Sequence, residues 1–229
     1  MADKTPLTVH EPSRPPKGGV VVVQEAFGLN DHIDDVTHRF AAEGWLAVAP
    51  HLFHRTGDPK FGYDDYSQVL PHMSALNAEE IMVDVDTALA HLTGCGIGLE
   101  HIGIVGFCMG GSVALVTATR RAVGAAVSFY GGGVATGRFG FDPLIEEAPR
   151  LLAPWLGLYG DLDERIPVPD VEQLRKAAAS SGQDTELVRY PHAGHGFHCD
   201  QRSDYHAESA HDAWDRTLTW FNHHLAVTA

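Results

Sequence analysis

The chain has 229 residues, 44% hydrophobic and 20% charged, a balance that fits one globular domain with a sizeable core and excludes collagen, coiled coil and disorder. Sixteen Lys and Arg stand against 30 Asp and Glu, a formal charge of -14, which argues against nucleic acid and anionic membrane surfaces as partners. A small anionic substrate is not excluded, because one local pocket can oppose the global sign.

Short apolar, β-branched runs alternate along the chain with longer segments of helical period. Gly18–Gln24 reads as a strand whose unbroken apolar run suits a parallel sheet covered on both faces. Asp31 is placed to cap a helix over His32–Glu43, with Ile33, Val36 and Phe40 on one stripe and Gly44 as its stop. Trp45–Ala49 is a second strand, ended by Pro50, and His51–Leu76 reads as a polar, irregular loop. Asn77 caps the next helix, whose inner face is Ile81, Val85, Leu89 and Leu92. His101–Phe107 is a third strand, followed at once by a helix over Met109–Arg120. Val123–Tyr130 is a fourth strand and Gly131–Pro149 a loop. Trp155–Tyr159 and Glu186–Tyr190 are two further strands, separated by a helix over Pro169–Ser181, and Tyr205–Leu225 is a closing helix. Strand–helix alternation throughout implies an α/β fold, a doubly wound, mostly parallel sheet with helices on both faces, in a single domain spanning 1–229. In such sheets, sites form beyond the C-terminal ends of the strands. The chemistry is therefore expected near Glu25, His51, Cys108, Asp163 and His195.

Three cysteines, Cys95, Cys108 and Cys199, make an odd count without paired spacing, so no disulfide framework is expected and a reducing compartment is inferred. Met1–Pro15 is polar and proline-rich, without the apolar core of a signal peptide. The longest apolar runs, such as Val20–Val23, fall far short of the roughly 20 residues that span a bilayer. A cytoplasmic protein is expected.

Gly106-Phe107-Cys108-Met109-Gly110 has the form G-x-C-x-G between a strand and a helix, the layout of a nucleophile elbow with Cys in place of Ser. The tight turn needs small residues on either side, which Gly106, Gly110 and Gly111 supply. It would present the thiol at a helix N-terminus, where the dipole stabilises a thiolate, with the Met109 N–H aimed at a developing oxyanion. The α/β-hydrolase chain order is nucleophile, acid, His. Asp161 and Asp163 follow the fifth strand, and His192 and His195 follow the sixth. A His beside the thiol can take its proton, and a carboxylate behind the ring fixes its tautomer. His195 is favoured over His192 because it lies between two glycines, where a tight turn can aim the ring inward. The choice between the two aspartates stays open on these grounds. A rival reading makes His192, His195, His198 and Cys199 metal ligands, but one short loop without a second cluster is a weak basis for a metal site.

Together these residues resemble the dienelactone hydrolase family of α/β-hydrolases from Val20 to Leu225. The carriers are Gln24-Glu25-Ala26-Phe27-Gly28-Leu29-Asn30, Gly106-Phe107-Cys108-Met109-Gly110-Gly111, Phe129-Tyr130-Gly131-Gly132, Gly160-Asp161-Leu162-Asp163 with Pro167, and Gly194-His195-Gly196-Phe197. The resemblance implies a Cys108, His195 and Asp163 triad, with Asp163 preferred because the family's acid precedes its Pro by four positions. It further implies that Glu25 contacts the thiol and helps to ionise it, and that Ala26 N–H is a second oxyanion donor beside Met109. Phe27, Tyr130 and Phe197, in the matched segments, are the expected substrate contacts. The chain departs from the family at the two arginines that hold the substrate carboxylate. Phe61–Ala78 contains no Arg or Lys, and His198, Cys199 and Asp200 follow the His, with Arg202 displaced. His51, His54, Arg55, Lys60 and Arg138 are the cations available to replace them.

The expectation is hydrolysis of a small ester or lactone through Cys108, with no metal or organic cofactor, in a monomer or small homo-oligomer. The alternative is a non-catalytic binding protein of the same fold that uses the pocket as a receptor.

Overall fold

A computed structural model describes residues 4–225; the ends of the expected 1–229 domain lie outside them. Fourteen elements follow one another as β1 (Leu7–His10), β2 (Gly19–Val23), α1 (Asp31–Ala42), β3 (Leu46–Pro50), α2 (Leu70–Ala75), α3 (Ala78–Gly94), β4 (Ile102–Phe107), α4 (Met109–Arg120), β5 (Ala125–Phe129), α5 (Leu144–Glu147), β6 (Trp155–Gly160), α6 (Val168–Ala179), β7 (Thr185–Tyr190) and α7 (Ala207–His224), with short 3-10 turns between them. The seven strands form one sheet in the order β1-β3-β2-β4-β5-β6-β7. Only β1 runs antiparallel, pairing Leu7 with Pro50 and His10 with Ala47. This mostly parallel α/β sheet is the architecture expected of an α/β-hydrolase fold.

Val20–Val23 of β2 are fully enclosed, which is why that run does not alternate with polar residues. On one face α1 and α7 meet, with Phe40 4.7 Å from Trp214 and 6.0 Å from Phe221 between ring centroids. On the other, α3, α4, α5 and α6 pack in succession. Ile81, Val85 and Leu92 of α3 are fully buried, as their spacing requires of an inner face.

The register places the site. Val23 pairs with Gly106, and Phe107 with Phe129, so β2, β4 and β5 end level. Their next residues therefore converge: Glu25, Cys108 and Tyr130. Gly160 pairs with Tyr190, which sets the loops after β6 and β7 side by side. Those loops are then tied by Asp161 N–H to Tyr190 O (2.9 Å) and Leu162 N–H to Ala193 O (3.0 Å).

Four details differ from expectation. The cap of α1 is Asn30, whose side chain accepts from Ile33 N–H at 3.2 Å, while Asp31 occupies the first helical position. An acid there still complements the dipole. The Leu7–His10 strand gave no signal because it is a four-residue, half-exposed edge inside a polar, proline-rich segment. The His51–Leu76 loop contains α2, started by Pro71 and anchored by buried Met73. The Gly131–Pro149 loop contains the single turn α5. No helix among the described residues is long and apolar enough to cross a membrane.

Asn77 caps α3 as expected: its side chain accepts from Glu80 N–H at 3.0 Å and donates to Glu80 Oε2 at 2.8 Å. Asn77→Ala removes both bonds at an exposed helix end. A loss of about 1 kcal/mol, or about 2–4 °C in Tm for a chain of this size, is expected in thermal unfolding.

Candidate active site

The turn from β4 into α4 holds Cys108 at φ 54° and ψ -116°, a strained conformation for a residue with a Cβ. The backbone is so close there that side chains cannot fit at its neighbours. A Cβ on Gly106 would fall on the Gly110 carbonyl, and one on Gly110 would fall on the Val23 carbonyl. The glycines of G-x-C-x-G are thus required by contact between β4, α4 and β2. Met109 is the first residue of α4, so its N–H has no acceptor within the helix.

Cys108 Sγ lies 3.2 Å from His195 Nε2, and His195 Nδ1 lies 2.6 Å from Asp163 Oδ2. All three are buried or nearly so, with side chains of His195 and Asp163 10% and 1% exposed. The other Asp163 oxygen accepts from Arg165 N–H at 2.9 Å, which fixes the carboxylate from behind. Asp161 turns away into a bidentate pair with Arg189, both contacts at 2.7 Å. The geometry therefore separates two aspartates that residue type alone leaves equivalent. His192 is exposed and stands beside His206 rather than the thiol.

Glu25 is fully buried and accepts from the Tyr130 hydroxyl at 3.1 Å through Oε1. Its Oε2 has no hydrogen-bond partner among the described residues, a costly state for a buried carboxylate. The neighbouring charge is Arg202, whose Nη1 is 3.9 Å from Glu25 Oε1. Successive turns, Cys199 N–H to Gly196 O and Arg202 N–H to Cys199 O, fold the loop so that Arg202 returns over Gly196. Arg202, displaced to seven positions past His195, still brings its guanidinium to the site and lies 5.6 Å from the ring centres of both Phe27 and Tyr63. Sequence reading also missed Tyr63, which meets Phe27 edge-on at 4.6 Å and is held by Asn30 at 3.1 Å.

Burial penalises both members of the thiol–imidazole pair, but each stabilises the other's charge. For His195, burial lowers the pKa, and the Cys108 sulfur and Asp163 outweigh it, raising it to about 10. For Cys108, burial favours the neutral thiol, yet adjacent His195 outweighs it and the net shift is downward; Glu25 opposes and Arg138 assists. Burial, then Glu25, holds Tyr130 well above its ordinary value, so it remains a neutral donor.

Of the expected substrate contacts, Phe27 lies under Arg202 and beside Tyr63. Tyr130 is enclosed, with its ring 5.1 Å from His195. Phe197 is fully buried between Tyr130 and Tyr190, behind the site rather than open to a substrate. Among the replacement cations, Arg55 and His54 bind buried Asp84, at 2.7 and 3.2 Å, and His51 binds Asp58 at 2.6 Å. Ala26 is buried in the loop after Glu25. The cysteines are free.

The dienelactone hydrolase family model matches residues 7–225, and the chain belongs to that family. A Yersinia pestis protein provisionally named a carboxymethylenebutenolidase is 38% identical over 233 residues, covering 98% of this chain and 85% of that protein. One from Escherichia coli K12, named likewise, is 39% identical over 210 residues, covering 88% of this chain and 75% of that protein. A crystal structure from Klebsiella pneumoniae, described provisionally as a dienelactone hydrolase, superposes with a TM-score of 0.86 at 37% identity, covering 95% of this chain and 92% of that one.

The pKa directions set a pH window. His195 is raised from 6.5 to about 10, so its contribution to stability is complete below pH 6.5 and is lost as pH rises through 10. Cys108 is lowered from 9.0, so its contribution is present above 9.0 and is lost as pH falls through its lowered value. Between these limits the thiolate–imidazolium pair should persist. Iodoacetamide at limiting dose should therefore alkylate Cys108 at neutral pH ahead of Cys199, whose thiol burial pushes up to about 11. His195→Asn should slow Cys108 alkylation at pH 7, because the imidazole that favours the thiolate is lost. Peptide mass spectrometry reads both outcomes, and preferential labelling of Cys199 would contradict the assignment.

Proposed function

We propose that the protein hydrolyses a small carboxylic ester or lactone, with Cys108 as nucleophile, His195 as the proton-transfer group and Asp163 as its orienting carboxylate. The observation that carries this reading is the 3.2 Å approach of His195 to a thiol held on a strained strand-to-helix turn, with a carboxylate 2.6 Å behind the ring. The names of the relatives point to the same bond class.

The Cys108 thiolate attacks the carbonyl carbon, and the carbonyl electron pair moves onto oxygen. The N–H groups of Ala26 and Met109 receive that oxyanion; an amide in the first turn of α4 is a donor without an intrahelical acceptor. Collapse of the tetrahedral intermediate expels the alkoxide, which takes the proton carried by His195 Nε2. An acyl-thioester on Cys108 remains. Neutral His195 then removes a proton from water as it attacks the thioester, and the intermediate collapses to the acid, with the sulfur leaving as thiolate. Asp163 stays ionised throughout and stabilises the imidazolium. In a lactone the alkoxide and the acid belong to one molecule. Where Cys108 is still a neutral thiol as substrate enters, Glu25, oriented by Tyr130, takes the S–H proton in place of His195 and gives it to the leaving alkoxide.

A panel of p-nitrophenyl esters, thioesters and lactones tests the reading. Wild-type protein should turn over members of the panel and Cys108→Ala should not; an equally active Cys108→Ala variant would overturn it. Asp163→Asn should lower kcat by about 10²–10⁴-fold, because an amide favours the wrong imidazole tautomer. Asp161→Asn, which breaks only the pair with Arg189, should leave kcat near wild type. The reverse ranking would move the acid by two residues.

A further inference from the structure

Behind the Phe27–Tyr63 wall, the start of α1 meets the loop after His195 in a cluster that ester hydrolysis does not use. His32 is 3% exposed, and its buried Nε2 has no hydrogen-bond partner among the described residues. Its Nδ1 faces Asp200 Oδ1 at 3.8 Å, too long for a hydrogen bond. Cys199 is fully buried beside them. One ligand atom from each of His32, Cys199 and Asp200 falls within 4.8 Å of the other two. Three side chains of ligating type, two of them buried, thus meet at one point beside the loop.

We propose that His32, Cys199 and Asp200 form a binding site for one zinc-class divalent cation, completed by water. One imidazole, one thiolate and one carboxylate suit a borderline-soft tetrahedral ion. Magnesium and calcium require oxygen-rich sets and do not match this one. The thiolate and carboxylate balance the 2+ charge, and Glu25 adds a further negative field at His32. Nδ1 is the His32 nitrogen that faces Asp200. As the metal–sulfur bond forms, the Cys199 S–H bond breaks, its electron pair goes to the metal and its proton to solvent. No group is oxidised or reduced. Asp200 is 71% exposed, which leaves a route for the ion from solvent. The bound ion would cross-link α1 to the 196–202 loop, which carries Arg202 toward Glu25. This site differs from the rival His192, His195, His198 and Cys199 set, of which it keeps only Cys199 and adds a helix residue and Asp200.

The test uses full-length, metal-free Cys108→Ala protein, so that the active-site thiol cannot bind the probe. Co²⁺ is titrated by absorption and Zn²⁺ by calorimetry, with Tm measured at each stage. The account expects one ion per chain, tetrahedral Co²⁺ bands with thiolate-to-metal charge transfer, and a rise in Tm with Zn²⁺. Adding Cys199→Ser should abolish the charge-transfer band. Adding His32→Ala or Asp200→Ala should weaken Zn²⁺ by at least about tenfold, and the exposed Asp200 variant should retain the metal-free Tm while losing its rise with Zn²⁺. Co²⁺ binding without a thiolate band would overturn the proposal. So would Zn²⁺ affinity unchanged by Asp200→Ala, or lost instead on His223→Ala at the exposed Asp184, His223 and His224 group.

Discussion

The constraint on which the site depends is the contact of three backbones around Cys108. Gly106 of β4 and Gly110 of α4 touch, and Gly110 also rests on the end of β2. That contact leaves no room for α4 to begin in the ordinary way, and the residue between them is driven to φ 54°. The strain is sustained by the sheet, because β4 is paired on both sides along its length. The same contact lifts the sulfur above the strand ends and sets it at a helix N-terminus. A looser turn would return the thiol to the core, away from Glu25, Tyr130 and His195.

Around that sulfur cations gather against the protein's overall sign, beside the carboxylates Glu25 and Asp163. The chain carries -14, yet His195, Arg202 and Arg138 all bear on the thiol or its surroundings. Burial weakens each charge taken alone and strengthens the pairs between them. That balance explains why Cys108 and Cys199 shift in opposite directions although both are buried. Cys108 has an imidazole at 3.2 Å, whereas Cys199 has burial and then Glu25 working against its ionisation.

Much of the architecture was legible because its signals are local. The apolar run Val20–Val23, the cap at Asn77 and the stripe over Ile81, Val85 and Leu92 are set by short-range propensity and period. The elbow was legible because steric contact demands glycine at fixed offsets from Cys108. What escaped depends on contacts across the fold. Residue type alone leaves Asp161 and Asp163 equivalent, and only the resemblance, through the spacing to Pro167, prefers Asp163; in the fold they differ in facing Arg189 or His195. Arg202 reaches Glu25 because consecutive turns shorten the path, so counting from His195 misplaces it. Asn30 outcompeted Asp31 as a cap because the chain enters α1 one residue earlier than the charge pattern suggests. The strand Leu7–His10 exists because β3 offers an open edge, not because its own sequence demands it.

The central claim is that an acyl group passes through the sulfur of Cys108, and trapping that species tests it most directly. Rapid acid quench of the wild-type protein during turnover of a p-nitrophenyl ester, followed by peptide mass spectrometry, should find the acyl mass on the peptide bearing Cys108. Its amount should match the initial burst of p-nitrophenolate. Turnover with a burst and an acyl group on any other residue, or on Cys199, would contradict the account.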